Sequence, residues 1–215
     1  MNKELQLKKI LDSGIVAVIR STQSRQLVEV ARALADGGID VVEITLSVPD
    51  ALGIIREVCN ELGNRVLVGA GTVLDPESAR AALLAGAEYI VAPTVNLDVI
   101  RLCRRYDRVI MPGALTPTEI LTAWEAGADI VKVFPADVVG PAFFRALRGP
   151  LPQIRLMPTG GVDLSTAAAF LQAGACCLGI GSQLVEPQAV AAGNFARIRE
   201  LAGQYRDIVD RCRRG

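Results

Sequence analysis

Short β-branched runs alternate with alanine- and leucine-rich amphipathic stretches along the whole chain of 215 residues. The runs fall at 15–19, 41–46, 66–68, 89–92, 109–111, 130–134, 154–157 and 177–180. Between them, apolar residues recur at helical spacing, as in 24–35, 76–85 and 118–126. Asp75-Pro76 and Thr116-Pro117 read as caps followed by proline in the first helical turn. Strand–helix alternation without hairpin turns predicts a parallel sheet. Eight such units predict an α/β fold, a (β/α)8 barrel of the TIM type, as a single domain over 1–215. An open doubly wound sheet is the rival, but its G-x-G-x-x-G fingerprint is missing after the first run.

A finer repeat supports closure. Stretches feeding the even-numbered runs end on Gly38, Gly86, Gly127 and Gly174, each read as the left-handed stop of a helix. Five residues after each stand Glu43, Val91, Lys132 and Gly179. Alternate strands of a barrel share interior layers, so this register places Glu43 and Lys132 in one layer, on the second and sixth strands. Period-two alternation turns Val41, Glu43, Thr45, Ile130, Lys132 and Phe134 inward and Val42, Ile44, Val131 and Val133 outward. Residues 1–10 predict a short amphipathic helix in front of the barrel, with Leu5, Leu7, Ile10 and Leu11 available for packing.

Composition narrows the function classes. Lys+Arg and Asp+Glu are both 23, so the chain offers no electrostatic footprint for nucleic acid or an anionic membrane. No apolar run approaches the roughly 18 residues of a membrane span, and the N-terminus lacks a signal core. Five cysteines without C-x-x-C spacing, in a chain with no histidine, argue against a metal site and for reduced, packed thiols. These readings predict a cytoplasmic protein. Cys176-Cys177 read as small packed residues, and Trp124 as a helix-face packing residue.

The candidate chemistry rests on Lys132 and Glu43. Only four lysines occur; Lys3, Lys8 and Lys9 sit in the N-terminal helix, while Lys132 lies alone in a β-run. An ammonium is costly to bury, and the free amine is the nucleophile that imine formation with a ketone requires. Without histidine, acid/base work falls to other groups, and Glu43 is the carboxylate embedded at an inward strand position. Its confinement raises its pKa, against the pull of Lys132. The rival reading is a structural Glu43–Lys132 ion pair.

Glycine-rich loops complete the pattern. Pro158-Thr159-Gly160-Gly161-Val162 follows the seventh run, and Gly179-Ile180-Gly181-Ser182 closes the eighth. On a barrel, these two loops form a phosphate cradle of backbone N–H groups, to which Ser182 adds a hydroxyl. Gly69-Ala70-Gly71-Thr72 and Pro93 lie at the same mouth, and the glycines permit close backbone approach. Thr72 offers a hydroxyl to a carboxylate or carbonyl, and Arg20 a charge to an acidic group.

Together these segments resemble the 2-keto-3-deoxy-6-phosphogluconate (KDPG) and 4-hydroxy-2-oxoglutarate (KHG) aldolase family. The likeness runs nearly full length and is sharpest at 42–45, 69–73, 131–136 and 158–162. The resemblance implies a metal-independent, cofactor-free class I aldolase, typically trimeric. It would cleave KDPG to pyruvate and glyceraldehyde 3-phosphate, or KHG to pyruvate and glyoxylate. It assigns the Schiff base to Lys132 and proton transfer to Glu43. Thr45, Thr72, Pro93 and Phe134 would line the pyruvate part, with Arg20 at its carboxylate. Gly160, Gly161, Gly181 and Ser182 would hold phosphate. Thr159 matches the position tied to stereochemical preference and looks like the gluconate type. One position departs: many members carry an arginine two residues after the second-strand threonine, where this chain has Ser47. That departure leaves Arg20 and backbone groups as the carboxylate clamp.

Two other classes share these features. A pyridoxal-phosphate barrel would use the same lysine and phosphate loops and would absorb visible light. A non-catalytic or engineered barrel scaffold would keep the fold and its assembly surface without the chemistry.

Overall fold

The computed structural model describes residues 2–20 and 26–214. The strands are β1 (Ile15–Ile19), β2 (Val41–Thr45), β3 (Leu67–Gly71), β4 (Tyr89–Val91), β5 (Val109–Met111), β6 (Gly113–Ala114), β7 (Val131–Val133), β8 (Leu156–Pro158) and β9 (Leu178–Ile180). The helices are α1 (Lys3–Ser13), α2 (Leu27–Asp36), α3 (Ala51–Leu62), α4 (Pro76–Ala85), α5 (Leu97–Arg105), α6 (Pro117–Glu125), α7 (Gly140–Arg148), α8 (Ala167–Gln172), α9 (Pro187–Ala191) and α10 (Phe195–Arg214).

Hydrogen bonding orders the strands β5–β4–β3–β2–β1–β9 and β6–β7–β8, every pair parallel. A parallel bridge from Thr159 to Gly179 joins the β8 end to β9. At the other seam, β5 and β6 are two pieces of one fifth strand parted at Pro112. The ring is therefore closed, and the fold is an α/β (β/α)8 barrel with an N-terminal helix.

Two apolar clusters reflect the alternation. The barrel interior holds Val16, Val41, Leu67, Tyr89, Val91, Val109, Met111, Ile130, Met157 and Cys177. Val42, Ile44, Val131 and Val133 pack outward against the helices, as the period-two reading requires. Ile10 of α1 is fully buried in the interior cluster, so the N-terminal helix plugs that end of the barrel. Lys3 pins the helix through a 2.9 Å ion pair with Asp129. Leu5, expected to pack, is instead 53% exposed, because seating Ile10 rotates it outward, and the buried Gln6 takes an inner position.

The predicted caps are present. Asp75 accepts from the Ser78 amide at 2.6 Å, and Thr116 forms a reciprocal capping box with Glu119. Gly38, Gly86, Gly127 and Gly174 all have φ between +90° and +114°, the left-handed stop that the repeat implies. A side chain from a neighbouring helix covers each in turn: Arg206, Cys59, Arg104 and Arg148. The four-fold repeat thus extends to packing between helices.

Some boundaries move. The third strand continues through Gly69-Ala70-Gly71, read from sequence as the loop after it, because side chains from β2 and β4 fill the space the glycines leave. The short β6 piece escapes the run pattern. The stretch expected at 24–35 forms a helix from Leu27, and Ser24 and Arg25 lie outside the described residues. No described helix is long and apolar enough to cross a membrane.

Candidate active site

Glu43 and Lys132 each stand one inward step above Val41 and Ile130 of the interior cluster, at the upper end of the barrel core. Glu43 is 1% exposed and Lys132 6%. Among the described residues neither Glu43 carboxylate oxygen has a hydrogen-bond partner, so Glu43 and Lys132 are not joined as a hydrogen-bonded ion pair. Burial raises the Glu43 pKa above its ordinary 4.5, and the nearby charges of Lys132 and then Arg20 pull against it. A buried carboxylate left unpartnered within reach of a lysine charge is a poor device for stability and a suitable one for moving protons.

The strand glycines make room for this arrangement. A β-carbon on Gly71 would lie 1.7 Å from Glu43 Oε1. One on Gly69 would lie 2.3 Å from the Tyr89 ring. The close approach that these glycines permit is therefore to neighbouring side chains inside the barrel.

Lys132 Nζ lies 5.1 Å from the centre of the Phe134 ring, two residues further along the same strand direction. Phe134 in turn lines a cavity of about 280 Å³ together with Arg20, Thr159, Gly160, Gly161, Gly181 and Ser182. Both candidate phosphate loops thus meet the arginine of β1 in one depression. Consecutive left-handed turns at Gly160 and Gly161 (φ +91° and +70°) form the first loop. The Thr159 hydroxyl oxygen is buried with no partner among the described residues, against the strand position of Gly179.

Thr45, Thr72 and Pro93 sit outside that cavity, at the C-terminal ends of β2, β3 and β4 on the same face of the barrel. Thr45 is fully buried, and its Oγ1 is 3.0 Å from Ser47 Oγ. Thr72 holds φ +59°, a conformation that β-branched residues rarely adopt. Strain of this kind clusters where function over-determines the backbone.

Three of the thiols are poor nucleophiles. All five cysteines are free, and burial pushes Cys59 up to about 11 and Cys103 up to about 12. A hydrogen bond to Cys176, with the sulfurs 3.8 Å apart, and burial raise Cys177 further. Among the described residues no cluster of three or more His, Cys, Asp or Glu side chains is arranged to hold a metal.

Sequence reasoning missed Tyr89, whose hydroxyl donates to the Val42 carbonyl at 2.6 Å. The available signal was a glycine at inward position 69, beside a strand that opens on an aromatic residue.

Comparison with known proteins shows the family of the chain. The sequence matches the family described as KDPG and KHG aldolase over residues 7–201. It is 37% identical to 2-dehydro-3-deoxy-phosphogluconate aldolase of Treponema pallidum, across 91% of this chain and 93% of that one. It is 36% identical to 2-dehydro-3-deoxy-6-phosphogalactonate aldolase of Escherichia coli, across 91% and 96%. A crystal structure of KDPG aldolase from Legionella pneumophila, with pyruvate captured at low pH as a covalent carbinolamine, aligns with a TM-score of 0.86 at 28% identity. That alignment covers 92% of this chain and 96% of the other. By sequence and fold, the chain belongs to the KDPG and KHG aldolase family.

Proposed function

We propose that this protein is a class I aldolase that cleaves KDPG to pyruvate and glyceraldehyde 3-phosphate, with KHG, giving pyruvate and glyoxylate, as a further substrate. The observation that carries the reading is the buried Lys132, close to an unpartnered Glu43 and touching, through Phe134, a cavity floored by glycine loops.

The amine of Lys132 adds to the C2 ketone, and loss of water from the carbinolamine gives a protonated imine. Glu43 takes the proton of the C4 hydroxyl. The electrons of the breaking C3–C4 bond flow into the imine, leaving a bound enamine and releasing the aldehyde. The enamine takes a proton at C3, and water hydrolyses the resulting imine to pyruvate and free Lys132. Arg20 and the hydroxyls of Thr45 and Thr72 hold the pyruvyl end beside Pro93 and Phe134. Gly160, Gly161, Gly181 and Ser182 hold the phosphate, and Thr159 sets the preferred configuration. Anchoring the phosphate away from the reacting carbons lets binding energy orient the bond that breaks.

The reading requires no metal or cofactor and places the enzyme in the cytoplasm as a homotrimer. Free thiols support the compartment, and the trimer is what the family resemblance implies. A coupled pyruvate-release assay on KDPG, its galactonate-configured isomer and KHG tests the activity. KDPG is expected to give the highest kcat/KM, and no pyruvate from any of the three contradicts the reading. Light scattering tests the trimer.

A further inference from the structure

We propose that Tyr89 is a positioning residue for Glu43, fixing the strand from which the carboxylate projects and walling it off from water below. The inference rests on the reading of Glu43 as the proton carrier of the aldolase.

Register brings the three residues together. Glu43 on β2 pairs with Gly69 on β3, and Gly69 pairs with Tyr89 on β4, so the three form one row across the sheet. Any side chain at position 69 would block the row, since its β-carbon would lie 2.3 Å from the phenol ring. Glycine leaves the ring free to cross β3 and reach β2, where its hydroxyl donates to the Val42 carbonyl at 2.6 Å. Val42 is the residue immediately before Glu43. The bond therefore ties the peptide that carries Glu43 to a rigid aromatic two strands away.

The ring also closes the space beneath the carboxylate. Tyr89 is fully buried in the interior cluster, among Val41, Leu67, Val91 and Met111. The charged and titratable groups felt by Glu43 come from three elements: Lys132 on β7, Arg20 at the end of β1 and Tyr89 on β4. Burial, then the charge of Glu43, holds the phenol well above its ordinary range, so Tyr89 remains a neutral donor wherever Glu43 works. Gly71, on the next inward step of β3, leaves the carboxylate its own space. Two glycines thus admit one anchor and the group it anchors.

The test compares Tyr89→Phe, which keeps the ring and removes the hydroxyl, with Tyr89→Leu, which also opens the floor. Steady-state kinetics across pH are read together with borohydride trapping of pyruvate on Lys132. Tyr89→Phe is expected to lower kcat roughly tenfold with KM nearly unchanged and trapping intact. Tyr89→Leu is expected in addition to move the acid limb of kcat to lower pH, as water reaches Glu43 and its carboxyl returns toward ordinary strength. A purely structural tyrosine would lower the unfolding temperature and leave both kcat per folded molecule and the acid limb at wild-type values. That result overturns the proposal alone, while the wild-type protein still traps pyruvate. A wild-type protein that traps none overturns the aldolase reading and this one with it.

Discussion

The carboxylate of Glu43 occupies the space that a β-carbon on Gly71 would take, since such an atom would stand 1.7 Å from its Oε1. The strand's glycine and the proposed proton carrier are two halves of one fit. Gly71→Ala is expected to displace Glu43 and lower kcat on the order of a hundredfold, because small misplacements of reacting groups cost that much. Overpacking should also cost about 1–3 kcal/mol of stability. Kinetics and denaturant unfolding of the purified variant check both.

Glu43 predicts a particular dependence of stability on pH. Its pKa is raised in the folded state above the ordinary 4.5, so the folded protein holds this proton more tightly than the unfolded chain does. The contribution is fully present below the unfolded value and is lost as pH rises through the folded one. Glu43→Gln, a neutral isostere, should therefore unfold at a higher temperature than wild type near neutral pH. The advantage should shrink as pH falls toward 4.5. The same substitution should cut kcat by about 10²–10⁴, the usual worth of a proton-transfer group. Thermal scans against pH, read beside kinetics, measure the two effects on one variant.

Thr159 carries a similar unsatisfied polar group. Its hydroxyl is buried without a partner and faces the gap above Gly179, where a β-carbon would lie 2.2 Å from Oγ1. Thr159→Val removes an unsatisfied polar atom while nearly keeping the shape, so the unfolding temperature should rise by about 2–4 °C. The ratio of kcat/KM for gluconate- over galactonate-configured substrate should fall. The two relatives that differ in this preference are 37% and 36% identical to the chain, so similarity alone does not choose between the substrates. Parallel assays on the two isomers decide.

Arg148 lies over Gly174 at the end of α8, as Arg104 lies over Gly127 at the end of α6. Cations at helix C-termini stabilise the exposed carbonyls, and Arg104 donates to the Ala126 carbonyl at 3.2 Å. Arg104→Ala and Arg148→Ala should each lower the unfolding temperature by about 1–3 °C without changing kcat, and calorimetry with a rate assay checks the pair.

Much of the fold and the charged pair was legible in the sequence, for identifiable reasons. A left-handed stop every other helix marks equivalent places in the barrel, and counting five residues from it reaches Glu43 and Lys132 directly. A charge inside a β-run has few neutral explanations, so those two residues stand out. The fifth strand's second piece is only Gly113 and Ala114, too short and too small to register as a hydrophobic run. The rotation of α1 that exposes Leu5 follows from where Ile10 seats, a tertiary fact. Tyr89 was hidden for a similar reason. Its role depends on the row Glu43–Gly69–Tyr89, and only the register of three strands brings those residues together.

The most direct measurement is reduction by sodium borohydride in the presence of pyruvate, followed by peptide mass mapping. One pyruvyl-derived adduct is expected on Lys132, absent from Lys132→Ala, with Lys3, Lys8 and Lys9 unmodified. A protein that releases pyruvate from KDPG while Lys132 remains unlabelled would contradict imine chemistry at Lys132.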